Sequence, residues 1–566
     1  MPNNKSPGPD GFPAEFYKHF WSILSPLFQR VIADIKKQLK LPSNMNSATI
    51  SLLLKPNKDP LLPTSYRPIS LLNVDLKIIT KTLSHRIEKI LPFIIHPDQT
   101  GFIKGRHSST NTRRLFNLMV HSSQQHTPSI IVTLDAEKAF DKVNWSFLIL
   151  TMQKFGFGES FINWIKILYT APLATVVTNG LTSQPFTLHR GTRQGCPLSP
   201  SLFTIFIEPL AAAIRQNTSI YGFKTANYHH KISLYADDVL LFLTKPHSSL
   251  QETISTIGKY SKLSDYSINW HKSSILPLQN SSWDVAAHAP PIPLCTGHIT
   301  YLGIHISPRL SELLSLNYTP LLKTITDTLL RWVNLPLSLT GRIASIKMTI
   351  LPKINYLFSM IPLKPTHSWF KSLDSAINKY YWKNKTPRIK LSTLQKPKTQ
   401  GGLAAPNFHQ YFIANQLQYI LKWINPIHSD YTWIDIEQTL SDNIPLSDLP
   451  FISPSIKRHP CFKSITISSA LTAWWEFHKI TNSSLALCKL TPIWNNPDFL
   501  SNKKPLHLHS WSDKGITHLQ HIFHNNELVS FSHLVQEYGI RSNQYLEYLQ
   551  IKSSISAVHS VSLSAW

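Results

Sequence analysis

Two adjacent acids stand in the string Leu234-Tyr235-Ala236-Asp237-Asp238-Val239-Leu240. Ile232 and Leu234 alternate with Lys231, Ser233 and Tyr235 on the approach, and the apolar run Val239-Leu240-Leu241-Phe242-Leu243 follows. That pattern predicts a β-hairpin with Asp237 and Asp238 at its turn. Two carboxylates held together among apolar neighbours repel each other and lose hydration, so the arrangement calls for a cation, and oxygen-only ligands suit Mg²⁺. A solvated Asp-Asp turn is the ordinary alternative. A further acid upstream favours the first reading. The β-branched run Ile130-Ile131-Val132-Thr133-Leu134 ends in Asp135, and a small-residue turn leads to a helix start near Asn144. A strand end of this kind delivers Asp135 to the same metal site.

Both strings resemble the reverse transcriptases of LINE-type (non-LTR) retrotransposons. In that family the palm carries its first metal-binding Asp in a string like Asp135 to Asp141, and the other two in a Tyr-Ala-Asp-Asp box. The resemblance implies an α+β right-hand polymerase, with fingers, a palm of antiparallel sheet plus helices, and a helical thumb. It implies RNA-directed DNA synthesis, with two Mg²⁺ ions held by Asp135 and Asp237, Asp238 supporting or sharing them, and Mn²⁺ able to substitute. The implied partners are an RNA template, a DNA primer or target, and deoxynucleoside triphosphates. A non-catalytic nucleic-acid-binding remnant of a mobile element is the alternative, and an intron-type maturase a further rival that the LINE-like carboxyl-terminal region disfavours.

Other residues follow from pattern and resemblance together. Ala48 to Leu54 and Ser65 to Leu71 read as two strands around the polar turn Lys55 to Pro60. A hairpin carrying Lys55 and Arg67 over a cleft would clamp a triphosphate, Arg through forked contacts. The resemblance adds Ala136, Phe140 and Gln194 to Arg67 as nucleotide-binding residues. Phe140 lies five residues past Asp135, where a ring beneath the incoming sugar would clash with a 2′-hydroxyl. Gln194 sits in the Gly-punctuated loop Gly191 to Gly195, with Ser199 expected as a helix N-cap and Pro200 at the first helical position. Lys272 is the implied general acid for the leaving pyrophosphate. Arg106, in the basic loop Gln99 to Arg106, is placed at template phosphate, and Gly303, in Tyr301 to Ile306, at the primer end. Glu137 is expected to point away from the site, and Asp141 to brace the segment that follows.

Lys and Arg number 56 against 31 Asp and Glu, a formal net charge of +25, which points to a polyanionic partner. Between residues 331 and 405 there are 13 Lys or Arg and one acid, Asp374. This segment is therefore the expected duplex-holding thumb with its adjoining basic stretch. Trp332, Trp369, Tyr380, Tyr381 and Trp382 are interleaved there, available either for stacking on bases or for burial. The four cysteines have neither metal-finger nor disulfide-framework spacing. With no apolar leader and no long apolar run, a nuclear or cytoplasmic protein that neither enters a membrane nor is secreted is expected.

At 566 residues more than one subdomain is expected. The reading is fingers over 1–110, palm over 111–310, thumb over 311–385 and an accessory region over 386–566. The turn cluster Pro7 to Phe12 resembles the block that opens the family's polymerase region, which leaves no room for the nuclease domain that commonly precedes it. Apolar positions predict a helix from Asp75, as N-cap, through Ile90, and another from Ile343 to Ile361 kinked at Pro352.

Overall fold

A computed structural model describes residues 1–556 apart from 57, 227, 279–291, 426–431, 484–486, 502 and 525–526. Asn57 of the expected polar turn thus lies outside the described residues. The fold is α+β, and internal contacts divide it into two compact units. The first comprises residues 1–111, 128–223 and 229–296; the second comprises 112–127, 224–228 and 297–566.

The first unit is built on two sheets. One is a four-stranded antiparallel sheet in the order Ile268–Leu278, Ser129–Ala136, Asp238–Thr244, Ile232–Tyr235. Its two central strands are continuous apolar runs because both of their faces are covered. Ile130, Val132, Leu134, Val239, Leu241 and Leu243 point into the main core, while Ile131, Leu240 and Phe242, on the other face, are also fully buried. Helices Trp145–Lys154, Ser199–Gln216 and Pro246–Ser264 supply the opposing core side chains, among them Leu148, Phe203, Phe206 and Ile257.

The other sheet runs in the order Tyr66–Leu72, Ser47–Leu54, Leu173–Thr178, Leu181–Thr182, with Phe186–Thr187 also paired to Leu173–Thr178. Its first two strands form the expected hairpin, with Leu53 opposite Arg67. The helix expected from Asp75 is Val74–Ile87. Its N-cap is Asn73, which places Asp75 inside the first turn, and Ile90 lies beyond the helix and is exposed.

The second unit is mainly helical, with Leu313–Trp332, Leu339–Ser345, Leu351–Met360, His367–Tyr381, Phe408–Ile424 and Ile465–Ile480 among its helices. Where a kink at Pro352 was expected, the helical pattern changes ahead of the proline. A π-helical turn spans Ile346–Ile350, widening the backbone where Pro352 cannot return an N–H to the preceding turn. Residues from Ile493 to Ile555 gather a separate small core that includes fully buried Trp511.

Candidate active site

The acid hairpin forms, with one adjustment to the expectation. Ala236 and Asp237 make the turn, whereas Asp238 already belongs to the outgoing strand, opposite Tyr235. Val239 pairs with Leu134 on the neighbouring strand, and continuing that antiparallel register by one residue sets Asp238 across from Asp135. Three carboxylates thereby meet at the ends of adjacent strands.

Their electrostatics bear this out. Desolvation raises the Asp237 carboxyl above the usual carboxylate range, and the Asp135 charge raises it further. Asp238 is pushed up to about 6, by desolvation first and then by Asp237 and Asp135. Although its outer surface is open to water, Asp238 is crowded by like charge. Among the described residues no Lys, Arg or His side chain lowers either group. Among the described residues no group of three or more His, Cys, Asp or Glu side chains lies close enough together to hold a metal ion, so the three acids are neighbours by register and not a preformed metal cage. The acids form an open set instead. Oxygen-only donors with uncompensated repulsion fit a hard divalent cation whose remaining ligands come from elsewhere, such as phosphate oxygens and water.

The Gly191 to Gly195 loop ties the Ala139–Lys142 turn that follows Asp135 to the hairpin of the second sheet. Ser70 N–H donates to the Gln194 carbonyl at 2.8 Å, and a Cβ on Gly195 would lie 2.5 Å from the Ser70 carbonyl oxygen. The Gln194 side chain donates to Asp141 at 3.4 Å, and Thr192 N–H donates to the Phe140 carbonyl at 2.7 Å. Asp141, raised chiefly by burial, thus accepts from Gln194, in a distant loop and not in the segment that follows it. Glu137 pairs with Lys142 at 2.6 Å and accepts from Ser267, turned to that side of the turn. Phe140 stacks on Phe203 with centroids 4.5 Å apart and meets Phe102 edge-on, leaving its ring half-buried. Ala136, also half-buried, closes the strand opposite Ile268. Arg67 is exposed, while Lys55 is drawn to the Thr64 carbonyl at 3.0 Å. The helix starts one position earlier than expected, with Leu198 as N-cap and Ser199 as its first residue, and the Ser199 hydroxyl donates to the Arg193 carbonyl.

A wide bulge places Lys272. Asn269 pairs with Asp135 and Ser274 with Thr133, so the intervening residues loop out beside the first acid. Ser273 anchors the loop by accepting from Asp135 N–H at 3.2 Å and donating to the Asn269 carbonyl, which leaves Lys272 exposed. The bulge, Ser273 and buried Arg193, which donates to Asn46, are features that the strand pattern did not reveal.

Arg106 is used differently from the expectation. Its two terminal nitrogens donate to the carbonyls of His96, Gln99, Pro92 and Ile95 at 2.8 to 3.1 Å. Those four bonds use all four terminal N–H groups, so the guanidinium locks its own loop and cannot offer a phosphate its fork. Gly303 lies in the second unit, at the turn of the hairpin formed by Ile299–Tyr301 and Ile304–Ile306, with φ of +71°.

Residues 54–306 match the family profile described as "Reverse transcriptase (RNA-dependent DNA polymerase)". These residues form a reverse transcriptase domain. All three acids, Arg67, Phe140, Gln194 and Lys272 fall inside it. The chain is 31% identical over 427 residues to the "Transposon TX1 uncharacterized 149 kDa protein" of Xenopus laevis, covering 75% of this chain and 32% of that protein. It is 22% identical over 441 residues to the "Retrovirus-related Pol polyprotein from type-2 retrotransposable element R2DM" of Drosophila melanogaster, covering 75% of this chain and 38% of that one. The "RNA-directed DNA polymerase from mobile element jockey" of Drosophila funebris is 26% identical over 234 residues, with 41% and 25% covered. The chain therefore spans about a third of the length of the curated relatives it matches. Among solved structures, apo telomerase from Candida Tropicalis aligns over 73% of this chain and 72% of that one, at 12% identity and a TM-score of 0.36. No helix among the described residues is long and apolar enough to cross a membrane.

Proposed function

We propose that the chain extends a DNA primer on an RNA template, with Asp135, Asp237 and Asp238 as the metal-binding acids. The observation that carries this reading is their convergence at the ends of adjacent strands inside a reverse transcriptase domain. A divalent ion held there would lower the pKa of the primer 3′-hydroxyl and neutralise charge on the triphosphate. Mg²⁺ suits the oxygen-only donor set, and two ions with Mn²⁺ able to replace them are part of the proposal.

The chain's own residues do the rest. Arg67, exposed on its hairpin, grips the triphosphate. Lys272, carried out by the bulge, donates a proton to the leaving pyrophosphate or balances its charge. Gln194, steadied by Asp141 and Ser70, lines the nucleotide position, and Ala136 leaves space beside Asp135. Phe140, backed by Phe203, fills the room that a 2′-hydroxyl would need. Gly303 lets a backbone turn approach the primer. Arg106 is omitted because its fork is committed to the loop. In this scheme residues 1–110 act as fingers, 111–310 as palm, 311–385 as thumb and 386–566 as an accessory region. RNA template, DNA primer and deoxynucleoside triphosphates are the substrates.

The test is extension of a labelled DNA primer on an RNA template with Mg²⁺ and the four deoxynucleotides. Template-dependent extension that is lost with EDTA is the expected result. Tight template-primer binding without any extension would overturn the catalytic reading.

A further inference from the structure

The strained point of the acid hairpin is Ala236. It is a non-glycine residue with φ of +56°, 3% exposed, immediately before Asp237. A left-handed alanine persists where its surroundings determine it. Here the determinant is a side chain. Fully buried Gln99 offers its amide to both polar groups of the Ala236 residue: Nε2 donates to the Ala236 carbonyl at 3.2 Å, and Oε1 accepts from Ala236 N–H at 2.9 Å. The same oxygen accepts from Gly101 N–H at 2.8 Å, which fixes the amide's orientation.

The main chain on either side of Gln99 is stitched to the same strand. Leu234 N–H donates to the Asp98 carbonyl at 2.8 Å, and Thr100 N–H donates to the Leu234 carbonyl at 2.9 Å. Gly101 makes the approach possible, since a Cβ there would lie 2.2 Å from the Ala236 nitrogen. A buried turn residue whose N–H and C=O have no ladder partner must satisfy both or change conformation. Gln99 satisfies both, in the one orientation that keeps Ala236 left-handed.

We infer that Gln99 is a positioning residue for the metal site. It touches none of the acids; it holds the peptide groups that aim Asp237 and Asp238. The inference rests on the proposal that these acids bind a divalent cation, and it can be tested without turnover.

Full-length parent, Gln99→Met, Gln99→Asn and Thr100→Val are compared by Mn²⁺ binding, read from the free-ion electron paramagnetic resonance signal, and by the Mg²⁺ dependence of primer extension. Gln99→Met keeps the volume and removes all three amide bonds. Gln99→Asn keeps the amide but cannot span both groups of Ala236, and it replaces the Met variant should that one fail to fold. Thr100→Val removes a hydroxyl bond from the same loop to Leu234 without touching Ala236. Loss of an outer support typically weakens metal affinity or activity about 10- to 100-fold. Both Gln99 variants should show at least the lower figure in Mn²⁺ affinity and in Mg²⁺ half-saturation, and Thr100→Val should match the parent.

Equal Mn²⁺ affinity and equal Mg²⁺ half-saturation in parent and folded Gln99 variants would overturn the inference. So would an equal loss in Thr100→Val, since the effect would then be general loosening of the loop. A parent that binds Mn²⁺ but does not extend removes the polymerase reading alone, and the Gln99 affinity ratio still decides the clamp. A parent that does neither removes both.

Discussion

In the first unit the charges that define the site are few, close together and negative; in the second they are many, spread along helices and loops, and positive. Asp135 acts on Asp237, and both act on Asp238, because strand register fixes where each must stand. The lysines between 371 and 398 need no such register. Lys371, Lys379, Lys383, Lys385, Lys390, Lys396 and Lys398 are all exposed, as a partner that offers repeating phosphates would require. The interleaved aromatics turn inward instead. Trp369, Tyr380 and Tyr381 are buried, with Trp369 edge-on to Tyr318 and donating to its carbonyl at 2.9 Å. On the proposed function the difference separates chemistry, which demands geometry, from grip, which demands charge density.

The largest expected effect separates the two units. Asp135→Asn or Asp237→Asn should reduce primer extension on the order of 10³-fold or more, the several kcal/mol that metal-ion catalysis supplies. Template-primer affinity should stay within a few-fold of the parent, because the lysines proposed to contact phosphate lie elsewhere. Gel-shift titration beside the extension assay measures both. Extension retained in both variants would remove the metal assignment.

Next is the salt response. If the basic segment neutralises about six phosphates, affinity for duplex should fall roughly 10³-fold between about 50 and 200 mM salt. Each exposed lysine that contacts phosphate, with Lys383→Ala and Lys385→Ala as first tests, should lower the log-log slope by about 1. Arg342→Ala should act on stability instead. That side chain is 1% exposed and donates to the carbonyls of Leu337, Tyr380, Val333 and Leu335. A flat salt dependence would break the comparison at its second half.

Arg342 and Arg106 also show where sequence reading stopped. Both sit in basic segments, and both are consumed by carbonyls of loops and helix ends. Charge counting cannot see this, because it depends on which carbonyls a turn leaves orphaned. The short helix Leu91–Ile94 leaves such carbonyls at its end, and Arg106 collects them. By contrast, the strands that carry the acids were legible from β-branched and alternating residues, and the Asn144 cap from its type and place, accepting from Phe147 N–H at 3.0 Å. The bulge at Trp270 to Ser273 was not legible, since no glycine or proline marks it. Nor was the pairing of Gln99 with Ala236, which joins residues 137 positions apart.

A smaller effect is expected at Phe140. Phe140→Val keeps part of the packing on Phe203 and opens the space assigned to the 2′-hydroxyl. Incorporation of GTP relative to dGTP on one RNA template should rise about 10- to 100-fold, with deoxynucleotide addition little changed. An unchanged ratio with retained activity would make Phe140 a packing residue and put sugar choice elsewhere.

The smallest effect tests whether the negative cluster is under strain without its cation. Asp238 is raised from 3.8 to about 6 in the folded chain. Between those values the folded state holds a proton that the unfolded state releases, so this group's favourable contribution is complete below pH 3.8 and is lost as pH rises through about 6. Above that window the ionised carboxylate is a net cost to the metal-free protein, tempered by solvent at the exposed side of Asp238. Asp238→Asn removes the cost. In EDTA its melting temperature should exceed the parent's by about 1–2 °C at pH 7.5 and equal it near pH 3.5. Adding Mg²⁺ or Mn²⁺ at pH 7.5 should then raise the parent more than the variant, because a ligand bound by the native state stabilises it in proportion to its affinity. A variant that melts below the parent at pH 7.5 in EDTA would show that Asp238 is already compensated by the protein, and that the cluster does not need a cation to relieve it.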